Sequence, residues 1–586
     1  RLLVGNGQLA QQVIYDNFEG AENYVAPDLT EATHAVTGLA VNASSIRHVK
    51  SNGLAVGLAV SIGAGVAGNL GAQAVGGETS ARIAHARINV DRVTGTVGGD
   101  GAATDPDAVS GSAAGTAIER RGITGAAQGV DVQASSHQYS ANFALSGPAG
   151  GGVAAAVTIA ADVNTGLTVA EVRDSEIDAG GALRVNASST AGLAGAVFAV
   201  AGAGAVAGAG TVEVAVSAGT TRAGLYDVDA YARRIDVGAH HLGGAKFVVG
   251  SGALGLGSGA GSGSVIVAVS EHTTLAEVDQ TRGGARAGQP QRKLVADAQG
   301  GSTDGDGEID VSATTEVRNA TVLVAAAGGG MLGAAGVIDV TVHASTTRAE
   351  VRHADLLATG HTLDAGSANE RREGGIRVRA EDRGSILRAA GSAGVSWGGA
   401  GASGAVSIMV GRSQARAAVA GSVLEAPEVD VLALNRKQID TYAIGLGAGK
   451  GAGVGGTFSL VLLGTAPASG PEALQAFFGN EKGGSSLRAA STATSSIAGS
   501  FSVNDPPTDD AGNTTGPGRN ENALSAGAQA DITDGARTRT DLGSLLSGGG
   551  ANGAYALLSD SVVRTGRLGV DARTETSILN AAGALG

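Results

Sequence analysis

One short phrase, hydrophobic-x-Val-x-Ala, returns eight times along the chain: Leu39/Val41/Ala43, Val130/Val132/Ala134, Leu183/Val185/Ala187, Ile235/Val237/Ala239, Ile309/Val311/Ala313, Ile376/Val378/Ala380, Val429/Val431/Ala433 and Leu568/Val570/Ala572. Where the central valines lie closest, from Val132 to Val185, Val185 to Val237 and Val378 to Val431, they are 52 or 53 residues apart. Periods of this size belong to solenoids, propellers and arrays, in which each copied unit leans on its neighbours. A length of 586 residues therefore does not call for several globular domains.

Within the unit the pattern has period two. Val153, Ala155, Val157, Ile159, Ala161 and Val163 alternate with Ala154, Ala156, Thr158, Ala160 and Asp162, and Val212/Val214/Val216 and Val265/Val267/Val269 repeat the rhythm. Such alternation turns one set of side chains inward and the other outward on a β-strand. A second anchor, Thr-x-Ala-x-hydrophobic, follows at Thr168/Ala170/Val172, Thr221/Ala223/Leu225, Thr274/Ala276/Val278 and Thr347/Ala349/Val351. The first anchor's Val and the second anchor's Ala stay 38 to 40 residues apart, as from Val132 to Ala170 and from Val41 to Ala81. From that Ala to the next Val the distance is 14 or 15 in compact units, but 51 after Ala81, 35 after Ala276 and 29 after Ala349. Insertions thus enter at one phase and project from one flank of a solenoid. They are rich in Gly, Asp, Ser, Thr and Pro, as solvent-facing loops are.

Glycine supplies 98 residues and aromatics only 3%, so burial has to come from Val, Ile, Leu and Ala in thin layers. Irregular glycine spacing excludes collagen. The expectation is an all-β chain, a parallel β-helix with loop insertions on one flank, making two or three turns per unit. At roughly 20–26 residues per turn and about 4.8 Å per turn, the chain would form a rod on the order of 100–140 Å long. A propeller is the alternative, although its blades carry aromatic signatures missing here. The expected organisation is an irregular or incomplete repeat at 1–38 and β-helix repeats over 39–469, with insertions near 92–129, 280–308 and 355–375. A long insertion or small subdomain follows at 470–553, and a further repeat at 554–586.

The formal charge of −14 argues against nucleic-acid partners and against general attraction to anionic membranes. Cysteine is absent, which suits a chain threaded unfolded through a secretion pore. The chain opens at Arg1 without a signal peptide, as a mature or trimmed fragment would. The charge-free stretch from Ala191 to Thr211 is long enough to span a membrane, but its glycines between Ala201 and Gly210 disfavour a spanning helix.

Candidate sites are sparse. Asp304, Asp306 and Glu308 resemble half of a calcium loop, but the first and twelfth positions of an EF-hand would fall on Ser302 and Ala313. A flexible acidic insertion is the plainer reading. His240 and His241 lack a spaced third ligand, and adjacent strand residues face opposite ways. Asp131, Asp236, Asp310 and Asp430 occupy alternating, solvated positions, and with Trp397 as the single Trp an aromatic sugar-binding cleft is hard to assemble. Asn42, Asn186 and Asn319 open glycosylation sequons, which are frequent by chance. No catalytic residue and no cofactor is expected.

The Gly/Ala/Val-rich stretch from Val197 to Val216, with the phrases Thr347-Arg-Ala349-Glu-Val351 and Ile309-Asp-Val311 between such stretches, resembles repeats of two-partner-secretion exoproteins. These include filamentous-haemagglutinin-like adhesins and, more closely, leukotoxin-type filamentous adhesins of Gram-negative bacteria. The resemblance runs from about residue 35 to 586. It implies a right-handed coil, export through an outer-membrane transporter partner and display at the bacterial surface or release from it. The family's amino-terminal secretion domain with Asn-Pro-Asn motifs is missing, as is a carboxy-terminal effector, so an internal shaft segment is expected. The functional expectation is a filamentous adhesin whose flank loops contact a host or bacterial surface receptor or glycan. The alternatives are a self-associating fibre or surface-layer component and a polysaccharide-active enzyme.

Overall fold

The computed structural model describes residues 2–4, 10–16, 30–36, 38–59, 63–88, 108–109, 129–280, 293–298, 307–363, 371–464 and 552–586. Strands dominate them, and they build a parallel β-helix that is not closed into a barrel. Coils one to six each have one long strand on a first sheet, a tight reversal, a second long strand on a facing sheet and a short strand or strand segment on a narrow third face. Coil three shows the plan, with Ala182–Ala203, Val206–Tyr226 and Asp229–Ala232. The first-sheet strands of coils one to eight are Gly38–Ala59, Gly129–Gly150, Ala182–Ala203, Arg234–Gly255, Glu308–Gly329, Gly375–Ser396, Val423–Gly449 and Val562–Leu585.

Register follows the anchors. Val41, Val132, Val185, Val237, Val311, Val378, Val431 and Val570 form one lane, each paired with the next. The 52–53-residue unit is therefore a single turn, not the two or three expected. Ala182–Ala203 runs as one strand through 22 residues, and Gly192, Gly195 and Gly202 within it, of a type that ordinarily punctuates a chain, do not end it. The shape changes accordingly. Eight coils rise roughly 35–40 Å, whereas a first-sheet strand extends about 70 Å. These coils make a slab broader than it is tall, in place of the expected rod.

Two large apolar cores lie inside the described coils, with a small cluster of Ile386, Met409 and Ile439 apart from them. At the broad end the first anchors (Val185, Ala187), the second anchors (Ala223, Leu225) and third-face residues such as Ile177 and Leu294 fill a triangular prism and are completely buried. Toward the opposite end the two long sheets face each other across a second core that includes Leu193, Phe247 and Leu323 and gives way to alanines such as Ala199, Ala201 and Ala327. There the sheets converge. A Cβ added to Gly394 would lie 1.9 Å from the Ala402 carbonyl oxygen, and one on Gly333 would lie 2.0 Å from that of Val395. The taper accounts for inward-facing glycine near the reversal: only hydrogen fits between the backbones.

The corner between second sheet and third face is equally repetitive. His85, Asp174, Asp227, His353 and Asp560 adopt left-handed φ of 45–53°, a conformation that Asp and His tolerate better than most residues. The Asp174 N–H donates to Tyr226 O, Asp227 N–H to Asp279 O and His353 N–H to Ala420 O, stitching each corner to the next coil. Chain-length variation begins beside this corner. Residues 89–107 and 110–128 follow and flank short third-face strands at Arg87–Ile88 and Ala108–Val109; 281–292 and 299–306 flank Lys293–Ala296; and 359–374 follows Asp355–Ala358 and includes a hairpin pairing His361–Leu363 with Arg371–Glu373. The segment 465–551 departs elsewhere, midway along the second sheet of coil seven, between Ala452–Leu463 and Gly553–Ser559, which both pair with Ala400–Ala420. In the first 38 residues Leu2–Val4 pairs antiparallel with the start of coil one.

The convergence yields a paired prediction. Gly394→Ala should lower stability by about 1–3 kcal/mol through overpacking. Gly391→Ala on the same strand faces outward, with Leu323 O at 3.9 Å from the added Cβ, and should be neutral or slightly stabilising. Urea unfolding midpoints of the two variants check the difference.

Candidate functional site: a buried polar seam and the outer faces

Between the two apolar cores the inward lanes turn polar. On the first sheet Ser136, Ser189, His241, Thr315, Asp382 and Asn435 stack in register, and on the facing sheet Gly219, His272, Ser345 and Ser413 do the same. The anchors set this placement. Val130, Val132 and Ala134 point inward, so Ser136, Gln138, Ser140 and Asn142 follow them into the interior.

The seam is bonded across the gap. Ser189 Oγ lies 2.5 Å from Thr221 Oγ1 and 2.7 Å from His241 Nδ1. The His241 and His272 rings stack at 4.0 Å. Thr315 donates to Thr274 at 2.7 Å and receives a bond from Thr347 at 2.6 Å. Beyond these, Lys437 Nζ meets Asp382 Oδ1 at 2.5 Å, and the Ser345 and Ser413 hydroxyls donate to Asp382 Oδ2 at 2.5 and 2.6 Å. Burial alone would push the Asp382 carboxyl up, but the Lys437 ammonium and the two serines together hold it below its usual range. Burial holds His272 down at about 4 and, with Lys437 nearby, His343 at about 3. Nearer the taper, burial and the adjacent Asp162 push the Glu213 carboxyl well above its usual range. Arg388 and Asp339 form a fully buried ion pair between the sheets.

Outside, charge collects at the broad end. Tyr226 lies between the guanidinium groups of Arg173 and Arg222, 4.7 and 4.9 Å from its ring centre, and its hydroxyl donates to Glu277 at 2.9 Å. The adjacent Gly224 leaves the ring room: a Cβ there would lie 2.4 Å from it. Further along the second sheet an open groove of about 470 Å³ is lined by Glu78, Glu271 and the threonines Thr165, Thr220 and Thr273. It offers carboxylates and hydroxyls without an aromatic platform.

The residues singled out in the sequence scatter over this frame. Asp304 and Asp306 lie outside the described residues. Glu308 is buried at the start of coil five, with His361 Nδ1 at 3.6 Å and an Arg377 guanidinium nitrogen at 3.7 Å. Among the described residues no group of three or more His, Asp or Glu could hold a metal ion. His241 faces inward and His240 outward, as strand alternation requires. Asp131, Asp236, Asp310 and Asp430 face outward but are half-buried, not fully solvated. Asp236 Oδ1 receives a bond from Arg234 at 2.6 Å, and burial with the neighbouring Asp236 pushes Asp310 up to about 6. Of the sequon asparagines, Asn42 and Asn319 are buried. The larger set in the alternating stretches, including Val153, Val157, Ile159 and Val214, faces outward and exposed, while Ala154, Ala156, Thr158 and Asp162 point in. Counting back by twos from Thr221 and Ala223 gives the same phase, so this signal was present in the chain.

Two outcomes test the seam. His272 and His343 titrate below their unfolded value of 6.5, so the unfolded chain binds more protons as pH falls below about 6.5. Stability should be complete above that pH and decline toward pH ~4, by up to about 1.4 kcal/mol per pH unit for each histidine. Urea midpoints at about pH 7.5 and about pH 5 measure this slope, and His272→Gln should make it shallower. Lys437→Met strands the Asp382 carboxylate and should cost about 3–5 kcal/mol in the same assay at neutral pH.

Comparison with family models, with curated proteins and with solved structures finds no match to this chain in any of the three.

Proposed function

We propose that the chain is a secreted adhesive scaffold, a β-solenoid that displays binding loops at a bacterial surface after export through an outer-membrane transporter. One observation carries the reading: the anchor lanes keep their register from coil to coil while segments of very different length leave the third face and its corners. A fold that holds its frame constant and varies length along one flank suits presentation of recognition elements, because loops carry contacts that stacked strands cannot spare. The resemblance of Thr347-Arg-Ala349-Glu-Val351 and its companions to two-partner-secretion adhesins supports the same reading. The partner would be a receptor or glycan on a host or bacterial surface.

Replacing residues 281–292 by a short Gly-Ser linker leaves the coil-four and coil-five strands to pair as before. The variant should keep its β-sheet circular dichroism and lose most of its attachment to cultured cells or to neighbouring bacteria. Unchanged attachment would remove this loop from the binding surface.

A further inference from the structure

The thin end of the slab is apolar on both outer faces. On the first sheet the outward residues Leu54, Phe143, Val200, Val324 and Ile444 are 43–71% exposed. On the second, Val66, Leu70, Val153, Val157 and Val206 are 43–75% exposed. The reversal that joins the sheets adds Leu256, Met331 and Trp397 at 69%, 67% and 57% exposure. Trp397 turns back over the first sheet, where its ring and Leu254 lie over Gly328. Outward charge stops short of this region. Beyond the lane of Phe143, Ala196, Val248, Val322 and Ala389 on the first sheet, and as far as Val163, Val216, Val269 and Val342 on the second, Lys450 is the one charged residue facing out among the described residues. Monomeric proteins rarely leave contiguous apolar patches of more than a few hundred Å² in water.

We infer that this thin edge inserts into the hydrocarbon of a lipid bilayer, with the strands steeply inclined to the membrane and the charged broad end left in water. Three features favour lipid over a protein partner. In coils one to five apolar surface covers both faces and the rim joining them, which a surrounding medium satisfies and a protein docked on one face does not; on coil six the outward Val406, Ile408 and Val410 are already buried. The span without outward-facing charge, Phe143–Gly150 on the first sheet and Val153–Val163 on the second, with Asp162 turned inward, is about 26–36 Å deep at ~3.3 Å per residue, close to the ~30 Å hydrocarbon thickness. Backbone groups within it are bonded to the coils above and below, so immersion between flanking coils leaves few amides without partners. The formal charge of −14 makes the attraction one of apolar burial, strongest for zwitterionic lipid. This edge lies away from the third-face loops, and its role does not depend on theirs.

Trp397 is the single tryptophan of the chain and stands at the rim, so it reports insertion directly. On addition of phosphatidylcholine vesicles to the whole chain, its emission should shift to the blue and be quenched by lipids brominated along the acyl chain, and the protein should float with the vesicles. The double variant Val200→Asp/Val324→Asp, with both positions outward and exposed, should keep its circular dichroism and partition at least tenfold less. Unchanged Trp397 emission with protein left in the vesicle-free fraction would overturn the inference, whichever way the variant behaves. So would sedimentation as a stable dimer that the double variant dissociates, since the edge would then be covered by a second copy. If the variant fails to fold, quenching of the wild-type Trp397 still decides the matter.

Discussion

Everything in this fold depends on the in-register parallel ladder. Each long strand gives its hydrogen bonds to the same positions one coil away, so a side chain accepted in one coil must suit the lane it joins in the next. The anchors enforce this at the broad end, where Val185 meets Val132 and Val237 and the prism they line is fully buried. A slip of one residue would turn Val185 and Ala187 outward and carry Arg184 and Asn186 into the core. Register is therefore strongly specified at one end of the slab and propagates along strands whose inward side narrows to Ala and Gly beside the reversal.

That asymmetry explains the polar seam. Flat Ala/Gly sheets specify alignment weakly, because many offsets pack alike. Bonds such as Asp382 with Lys437, Ser345 and Ser413, or Ser189 with His241 and Thr221, demand one alignment of the two sheets. Buried polar groups contribute little net stability when satisfied and cost much when broken, so their value here lies in uniqueness. They also tie the coils to acidity, since the histidines of the seam are held neutral by their surroundings.

The same taper links packing to the outer surface. Where the interior narrows to Ala and Gly beside the reversal, the larger members of the alternating pairs stand outside, as Val153 and Val206 do. An exposed apolar edge is thus a direct consequence of sheets that approach until Gly394 and Gly333 touch the opposite backbone. At the broad end the arrangement reverses: large aliphatic residues are enclosed, and Arg222, Glu277 and Tyr226 face out.

Much of the architecture could be read from the residues. Period-two alternation named the strands, the anchor phrases named the lanes, and the constancy of 38–40 residues between anchors located the point where insertions enter. Even the seam was foreshadowed, since counting by twos from Val132 reaches Ser136 and Gln138. The number of turns per unit was not legible, because alternation reports which way a side chain faces and says nothing of where the chain bends. Glycine usually marks bends; here its inward positions serve close approach, and that purpose exists only once the second sheet lies opposite. Partnership followed the same division. His241 carried no visible ligand along the chain, and its neighbour His272 came from the facing sheet of the same coil. Local periodicity is a property of the chain, whereas the meeting of two sheets, and everything buried or exposed by it, belongs to the tertiary structure.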